Sequence, residues 1–307
     1  TSATSEMAGC AEVAAAFERA VGTPFGTTTD DRRIGLYKTS CIGMCDQEPA
    51  ALINEVVFTR LTPARVDELV AGIRAGRAVR DLSGPLTGRN GRHPLPDPAR
   101  FAARLSEWGV GNDTQVVVYD DAGGTYAGRM WWMLRWLGHD AVALLDGGIN
   151  AWEAAGYETS DAETKHPHAV FVPRLRPEMA VDVRFVESQS ARDGVRLLDA
   201  RNPQRFCGEN ETLDPVGGHI PGAVNRFFKD NLLPDGRFKP AEVLRGEYQA
   251  LLAGRGASGV VHSCGSGVTA CHNLLAMEVA GLAGSRIYPG SWSEWCADPA
   301  RPVATGH

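Results

Sequence analysis

The 307-residue chain has no run of about 18 consecutive apolar residues, so no membrane-spanning helix is expected. It has no block of clustered lysine and arginine and carries a formal net charge of −6, which argues against a nucleic-acid partner. No basic-then-apolar leader opens it, so no secretory signal is expected. Its seven cysteines are odd in number and irregularly spaced. That argues against a disulfide framework and suits a reducing cytoplasm. What remains is an ordinary globular composition, 43% hydrophobic and 22% charged, long enough for two or three domains.

The most informative run is VHSCGSGVTACH, residues 261–272. A β-branched strand end leads through His262 and Ser263 to Cys264. A tight loop follows with Gly265, Ser266, Gly267 and Val268, then an apolar helical stretch from Thr269 to about Gly281. A thiol at a strand end, wrapped by backbone N–H groups at a helix N-terminus, is placed to act as a thiolate. The same pattern also fits a buried strand-end cysteine beside an ordinary turn. A cysteine-dependent phosphatase needs an arginine six positions after its cysteine; Ala270 stands there, which excludes that chemistry.

Along the chain three segments emerge. In 1–79, Val13, Phe17, Ala20 and Val21 recur at helical spacing before Gly22. A strand pair is expected around 51–53 and 56–58. Thr62 and Pro63 open a second helix with Val66, Leu69, Val70 and Ile73 inward and Gly76 at its end. In 80–158, Asp97 caps a helix over 98–108. A buried parallel strand covers 116–119, an aromatic helix 127–137, and another strand 142–145. In 176–307 the theme repeats, with strands at 195–199, 260–262 and 286–288. A linker near 160–175 joins the two. Trp131, Trp132 and Trp136 are read as core; Cys271 is read as core, and Cys207 and Cys296 as structural or surface thiols.

CGSGVTAC resembles the active-site loop of 3-mercaptopyruvate-type sulfurtransferases of the rhodanese superfamily. GHIPGAVN (218–225), LLDARNPQRFCGE (197–209), YPGSWSEW (288–295), VVVYDDAGG (116–124), the tryptophan-rich stretch 131–156 and DLSGPLTGRNGRHPLPDP (81–98) extend the resemblance over about 80–307. It implies an α/β fold of two rhodanese-like parallel-sheet domains, 80–158 and 176–307. The first is inactive and N-terminally incomplete. Asp120 stands where the second has Cys264, and an aspartate cannot carry a sulfane sulfur.

The resemblance also implies roles. Cys264 would take sulfur from 3-mercaptopyruvate or thiosulfate as a persulfide, cradled by Gly265, Ser266, Gly267, Val268, Thr269 and Ala270. A thiol such as thioredoxin or glutathione, or cyanide, would remove it, with no cofactor required. Ser266 would relay a proton with His93, whose acidic partner is expected near Val79, with Asp81 the nearest candidate. Arg205 would bind the substrate carboxylate. A second arginine is expected nine residues later, but Asp214 stands there; Arg226 is the candidate substitute.

TSCIGMCDQEPAALINEVVFTRLTPARVDELVAGIRAG, in 1–79, resembles the C-terminal half of the thioredoxin-like ferredoxin subunit of NADH dehydrogenase, which implies a small thioredoxin-like α/β segment. Cys41 and Cys45 match the later cysteine pair of that family's 2Fe–2S site. The early pair is missing: Ser5 falls near its second position, and Cys10 is off-register. Two ligands fall short of the four thiolates such a cluster takes. The alternative function is therefore an electron-transfer or docking subunit of a larger NAD-linked oxidoreductase built on 1–79.

Overall fold

The computed structural model describes residues 10–28, 35–36, 51–53, 56–58, 62–63, 66, 82–160, 166–190 and 195–306. The chain divides into two compact units, Thr1–Asp81 and Leu82–His307.

In the first unit, helix α1 (Cys10–Val21) buries Val13, Ala16, Phe17 and Val21 on one face. Glu12 in its first turn and Arg19 in its last suit the helix dipole. Strand β1 (Thr27–Thr28) pairs antiparallel with β2 (Gly35–Leu36), and β3 (Ala51–Ile53) with β4 (Val56–Phe58). Leu36 and Val66 complete the core beside α1. The Val66 N–H donates to the Thr62 carbonyl at 3.0 Å, one turn of the helix expected there. Leu69, Val70, Ile73, Gly76, Ser5, Cys41 and Cys45 lie outside the described residues.

The second unit opens with α2 (Pro98–Glu107). Asp97 caps it by accepting from the Arg100 N–H at 2.9 Å, and Pro98 occupies the first turn, where no N–H is missed. Strand β5 (Val116–Val118), helix α3 (Ala127–Trp136), strand β6 (Val142–Leu144) and helix α4 (Gly148–Ala154) follow. β5 and β6 run parallel, with Val117 opposite Ala143. Among the described residues this half carries a two-stranded sheet.

The later half holds α5 (Val183–Ser190), β7 (Arg196–Asp199), α6 (Pro203–Cys207), β8 (Val224–Asn225), α7 (Ala241–Leu252), β9 (Val260–Ser263), α8 (Thr269–Val279), β10 (Arg286–Ile287) and α9 (Ser291–Trp295). Its four strands are parallel in the order β10-β9-β7-β8. β9 is central and every residue in it is buried, as an apolar run covered on both faces requires. Ligands of such sheets bind outside the carboxyl ends of the strands, and Cys264 follows the end of β9.

Helices α3 and α8 join the halves. Trp131, Trp132, Met133 and Leu134 share one core with Ala270, Cys271, Leu274 and Leu275. Trp132 and Trp136 stack with centroids 5.9 Å apart, so the tryptophans are core residues. At the seam, buried His272 accepts from Asn231 Nδ2 at Nδ1 (3.2 Å) and donates from Nε2 to the Gly123 carbonyl (3.0 Å).

Candidate active site

Cys264 is 2% exposed at the end of β9. Its position is fixed from the segment 288–293. The Cys264 N–H donates to Ser291 Oγ at 3.1 Å, and Ser291 Oγ donates to the Tyr288 carbonyl at 2.9 Å. Ser291 does this from a left-handed φ of +53°, a strained state for a residue with a Cβ. The N–H groups of Trp292 and Ser293 bind the carbonyls of Cys264 and Gly265, each at 2.9 Å.

Of the loop N–H groups, those of Ser266 and Gly267 reach the sulfur, at 3.4 and 3.1 Å. No hydrogen bond to Sγ is found from Gly265, Val268, Thr269 or Ala270 among the described residues, so the cradle around the bare thiol is narrower than expected. Gly267 sits at φ +75°, and a Cβ there would lie 2.4 Å from the Pro289 carbonyl oxygen. Only glycine fits.

The earlier half supplies the rest. His93 Nδ1 lies 2.8 Å from Ser266 Oγ, which brings the expected relay pair together. Val79 and Asp81, the positions considered for its acidic partner, lie outside the described residues. Arg129, 3% exposed on α3, donates from Nη1 to the Gly267 carbonyl (2.8 Å) and from Nη2 to the His93 carbonyl (3.1 Å). One buried guanidinium thus fixes the cysteine loop against the histidine.

Arg205, on α6, forks onto Glu211 at 2.8–3.2 Å and reaches Asp214 Oδ2 at 3.2 Å. Burial pushes the Glu211 pKa up, but hydrogen bonds from Arg205 and the Leu213 N–H outweigh it, and the net shift is downward. Beneath lies Arg201, whose side chain is 1% exposed. It pairs with Asp199 at 2.7 Å and stacks over Trp292 with 4.9 Å to the ring centroid. Burial lowers the Arg201 pKa, but the charge and hydrogen bond of Asp199, with Glu211 adding to them, raise it overall.

Arg226 does not join this group. Its guanidinium is taken up by Glu247, by Asn231 Oδ1 (2.9 and 3.1 Å) and by the face of Tyr248. The substrate-binding role expected for it finds no support in these contacts, which tie the side chain to Asn231 and to α7.

Cys207, Cys264, Cys271 and Cys296 are all buried and none is in a disulfide. Burial pushes the Cys271 thiol up to about 12 and Cys296 to about 11. The Cys271 thiol donates to the Gly267 carbonyl at 3.4 Å. Neither is a nucleophile at neutral pH.

In the earlier half, the Asp120 carboxylate occupies the corresponding loop. Oδ1 accepts from the N–H groups of Ala122 and Gly124, and Oδ2 from those of Tyr126 and Ala127, all at 2.8–2.9 Å. Both loops therefore turn their N–H groups toward an anion site. One holds a sulfur and the other a fixed carboxylate.

Arg92, Arg129, Arg201 and Glu211 were not foreseen from sequence as site residues. Their partners lie far along the chain or in a turn whose path the sequence does not show. The one local signal is that Arg92 immediately precedes His93.

Comparison with known proteins agrees with this geometry. Residues 78–155 and 182–298 match the rhodanese-like domain family. Residues 1–74 match the thioredoxin-like 2Fe-2S ferredoxin family. A Pseudomonas aeruginosa protein named "Probable 3-mercaptopyruvate sulfurtransferase" is 48% identical over 266 residues, 84% of this chain and 94% of that one. The thiosulfate sulfurtransferase of Mus musculus is 36% identical over 219 residues, 69% of this chain and 73% of its own. The crystal structure of SseA from Escherichia coli, a 3-mercaptopyruvate sulfotransferase, superposes with a TM-score of 0.61 at 32% identity, covering 70% of this chain and 79% of that one. A thiol at the end of a central parallel strand, cradled by its own loop and sharing a core with a second half that holds a carboxylate instead, belongs to the rhodanese family of sulfurtransferases, and this chain is a member of it.

Proposed function

We propose that the chain takes sulfur from 3-mercaptopyruvate, or from thiosulfate, and passes it as the sulfane sulfur of a persulfide on Cys264 to a thiol acceptor. The observation that carries this is the triple contact at the loop. Two N–H groups point at Cys264 Sγ, and Ser266 Oγ, two residues along, is 2.8 Å from His93 Nδ1.

The Cys264 thiolate attacks the sulfur of 3-mercaptopyruvate. An S–S bond forms and the C–S bond breaks with its electron pair going to carbon. That carbon takes a proton and becomes the methyl group of pyruvate; sulfur is oxidised to the sulfane level as carbon is reduced. The donor thiol proton passes to Ser266 and His93, which return one to the carbon. With thiosulfate, sulfite leaves with the electron pair and no carbon is protonated. The loop N–H groups stabilise the persulfide anion. An acceptor thiolate then attacks the outer sulfur and Cys264 leaves as thiolate; cyanide gives thiocyanate by the same step. Thioredoxin and glutathione are the acceptor classes this chemistry suits, and their cytoplasmic setting fits a chain whose seven cysteines show no disulfide pattern.

Every bond change here is a two-electron step at sulfur or carbon, so the proposal needs no cofactor. Cys41 and Cys45, through which a 2Fe–2S cluster would attach, lie outside the described residues, and no step passes through them. No described helix is long and apolar enough to cross a membrane.

The test is pyruvate and thiocyanate formation from 3-mercaptopyruvate and cyanide, with thiosulfate in parallel and Cys264→Ser as control. Turnover with the first donor that the substitution abolishes supports the reading. A folded protein inert to both donors would sink it.

A further inference from the structure

The family resemblance implies two arginines for the substrate carboxylate, and along the later half Asp214 stands where the second is expected. The structure brings a guanidinium there from the earlier half. Arg92 Nη1 forms an ion pair with Asp214 Oδ1, while Arg205 Nη2 reaches Asp214 Oδ2. Asp214, whose side chain is 3% exposed, lies between the two guanidiniums and gives one oxygen to each.

Both guanidiniums also converge on the cysteine loop. A Cβ built on Gly265 would lie 2.8 Å from Arg92 Nη2 and 3.7 Å from both Nη1 and Nη2 of Arg205. Gly265 follows the nucleophile directly. Arg92 is anchored at both ends: its backbone N–H donates to Ser293 Oγ at 3.0 Å while its guanidinium pairs with Asp214, and the Ser293 N–H holds the Gly265 carbonyl at 2.9 Å. The backbone before it is equally fixed, since a Cβ on Gly91 would lie 2.7 Å from the Gly290 carbonyl oxygen.

We infer that Arg92 is the second carboxylate-binding residue of the site, paired with Arg205 across the two halves and held in place by Asp214. Two guanidiniums converging on Gly265, the residue after the nucleophile, suit a planar carboxylate, each giving N–H donors to one oxygen. Asp214 already bridges them as a carboxylate does, and the two arginine side chains stay 32% and 21% exposed, which leaves them reachable by a second carboxylate. The substrate class is an α-keto carboxylate with sulfur on the adjacent carbon. The inference deepens the donor assignment above and rests on it for the identity of the substrate, though the arginine pair can be tested without turnover.

The probe is pyruvate, which carries the carboxylate and carbonyl without the sulfur. Its binding is read as protection of Cys264 from alkylation by iodoacetamide, followed on the Cys264 peptide by mass spectrometry. The concentration giving half-protection comes from the ratio of rates with and without pyruvate, so a change in the intrinsic rate cancels. Arg92→Ala should raise that concentration about tenfold, the loss of one charge-assisted contact. Arg92→Lys, which keeps the charge but not the fork, should fall between the two. Acetone, which lacks the carboxylate, should protect none of them. Equal half-protection in wild type and Arg92→Ala, or protection by acetone as strong as by pyruvate, would overturn the inference. So would a wild type that pyruvate does not protect. Protection by pyruvate without turnover of 3-mercaptopyruvate would remove the donor assignment and leave the arginine pair standing.

Discussion

His93 Nδ1 and Ser266 Oγ lie 2.8 Å apart although 173 residues separate them in the chain. Their proposed task is to manage the proton that 3-mercaptopyruvate gives from sulfur and needs at carbon. Thiosulfate needs no such proton. His93→Asn and Ser266→Ala should therefore each lower kcat with 3-mercaptopyruvate by about 100-fold, within the range of general acid–base catalysis. They should lower kcat with thiosulfate far less. Steady-state kinetics with both donors on one preparation decides it; equal losses would mean the pair only shapes the loop.

Arg129 ties these two residues together through the carbonyls of Gly267 and His93. Replacing it by methionine keeps much of its stem volume and removes the guanidinium donor from both carbonyls, leaving Gly267 only the weak Cys271 thiol at 3.4 Å among the described residues. The cost should be about 3 kcal/mol, two hydrogen bonds from a charged group less the relief of desolvating it. Urea denaturation of wild type and Arg129→Met measures it. A difference below about 0.5 kcal/mol, the range of ordinary surface changes, would contradict the bridge.

Gly265 and Gly267 differ in what a side chain would meet. At Gly267 a Cβ meets the Pro289 backbone at 2.4 Å from a left-handed conformation. At Gly265 it meets the far end of Arg92, a side chain that can yield where the Pro289 backbone cannot, though at the expense of its pairing with Asp214. Gly267→Ala should destabilise by about 2 kcal/mol or more and abolish turnover. Gly265→Ala should stay within about 1 kcal/mol of wild type yet show a raised KM for 3-mercaptopyruvate. Melting curves and KM values for the two variants test the contrast.

Burial lowers the His262 pKa from 6.5 to about 3 and that of His272 from 6.5 to about 4. Both imidazoles stay neutral in the fold, whereas the unfolded chain protonates them near 6.5. Below that pH the unfolded state binds more protons, so stability falls as pH drops. The loss ends near pH 4 for His272 and near 3 for His262, at up to about 1.4 kcal/mol per pH unit for each. Glu294, whose pKa burial raises, works in the opposite direction and offsets part of this. Denaturation midpoints at pH 7 and pH 5 should differ accordingly, and His272→Asn should flatten the slope. A flat profile in wild type would contradict the buried neutral histidines.

The frame of the second unit was legible because its signals are local. Asp97 before Pro98, the β-branched runs at 116–118 and 260–261, and the glycine-bracketed loop after Cys264 each announce themselves within a few residues. His93 and Ser266 were legible through resemblance rather than spacing. The arginines were not. Arg92 and Arg129 look like any surface arginine until the fold brings Asp214 and Gly267 to them; Arg201 stands two residues after Asp199 in a turn the resemblance marks, but nothing local shows that the pair is buried beside Trp292. Asp214 itself read as the loss of a substrate arginine, yet it is the group that holds Arg92. Arg226 read as a substitute because it follows the HIPGAVN run; only tertiary packing shows Glu247 and Tyr248 claiming it.

The central claim is that sulfur rests on Cys264 between donor and acceptor. Mass spectrometry of the protein after 3-mercaptopyruvate is added without an acceptor tests it most directly. The account predicts one added sulfur atom, carried by the Cys264 peptide and removed by cyanide. No added sulfur, or sulfur carried instead by Cys207, Cys271 or Cys296, would contradict it.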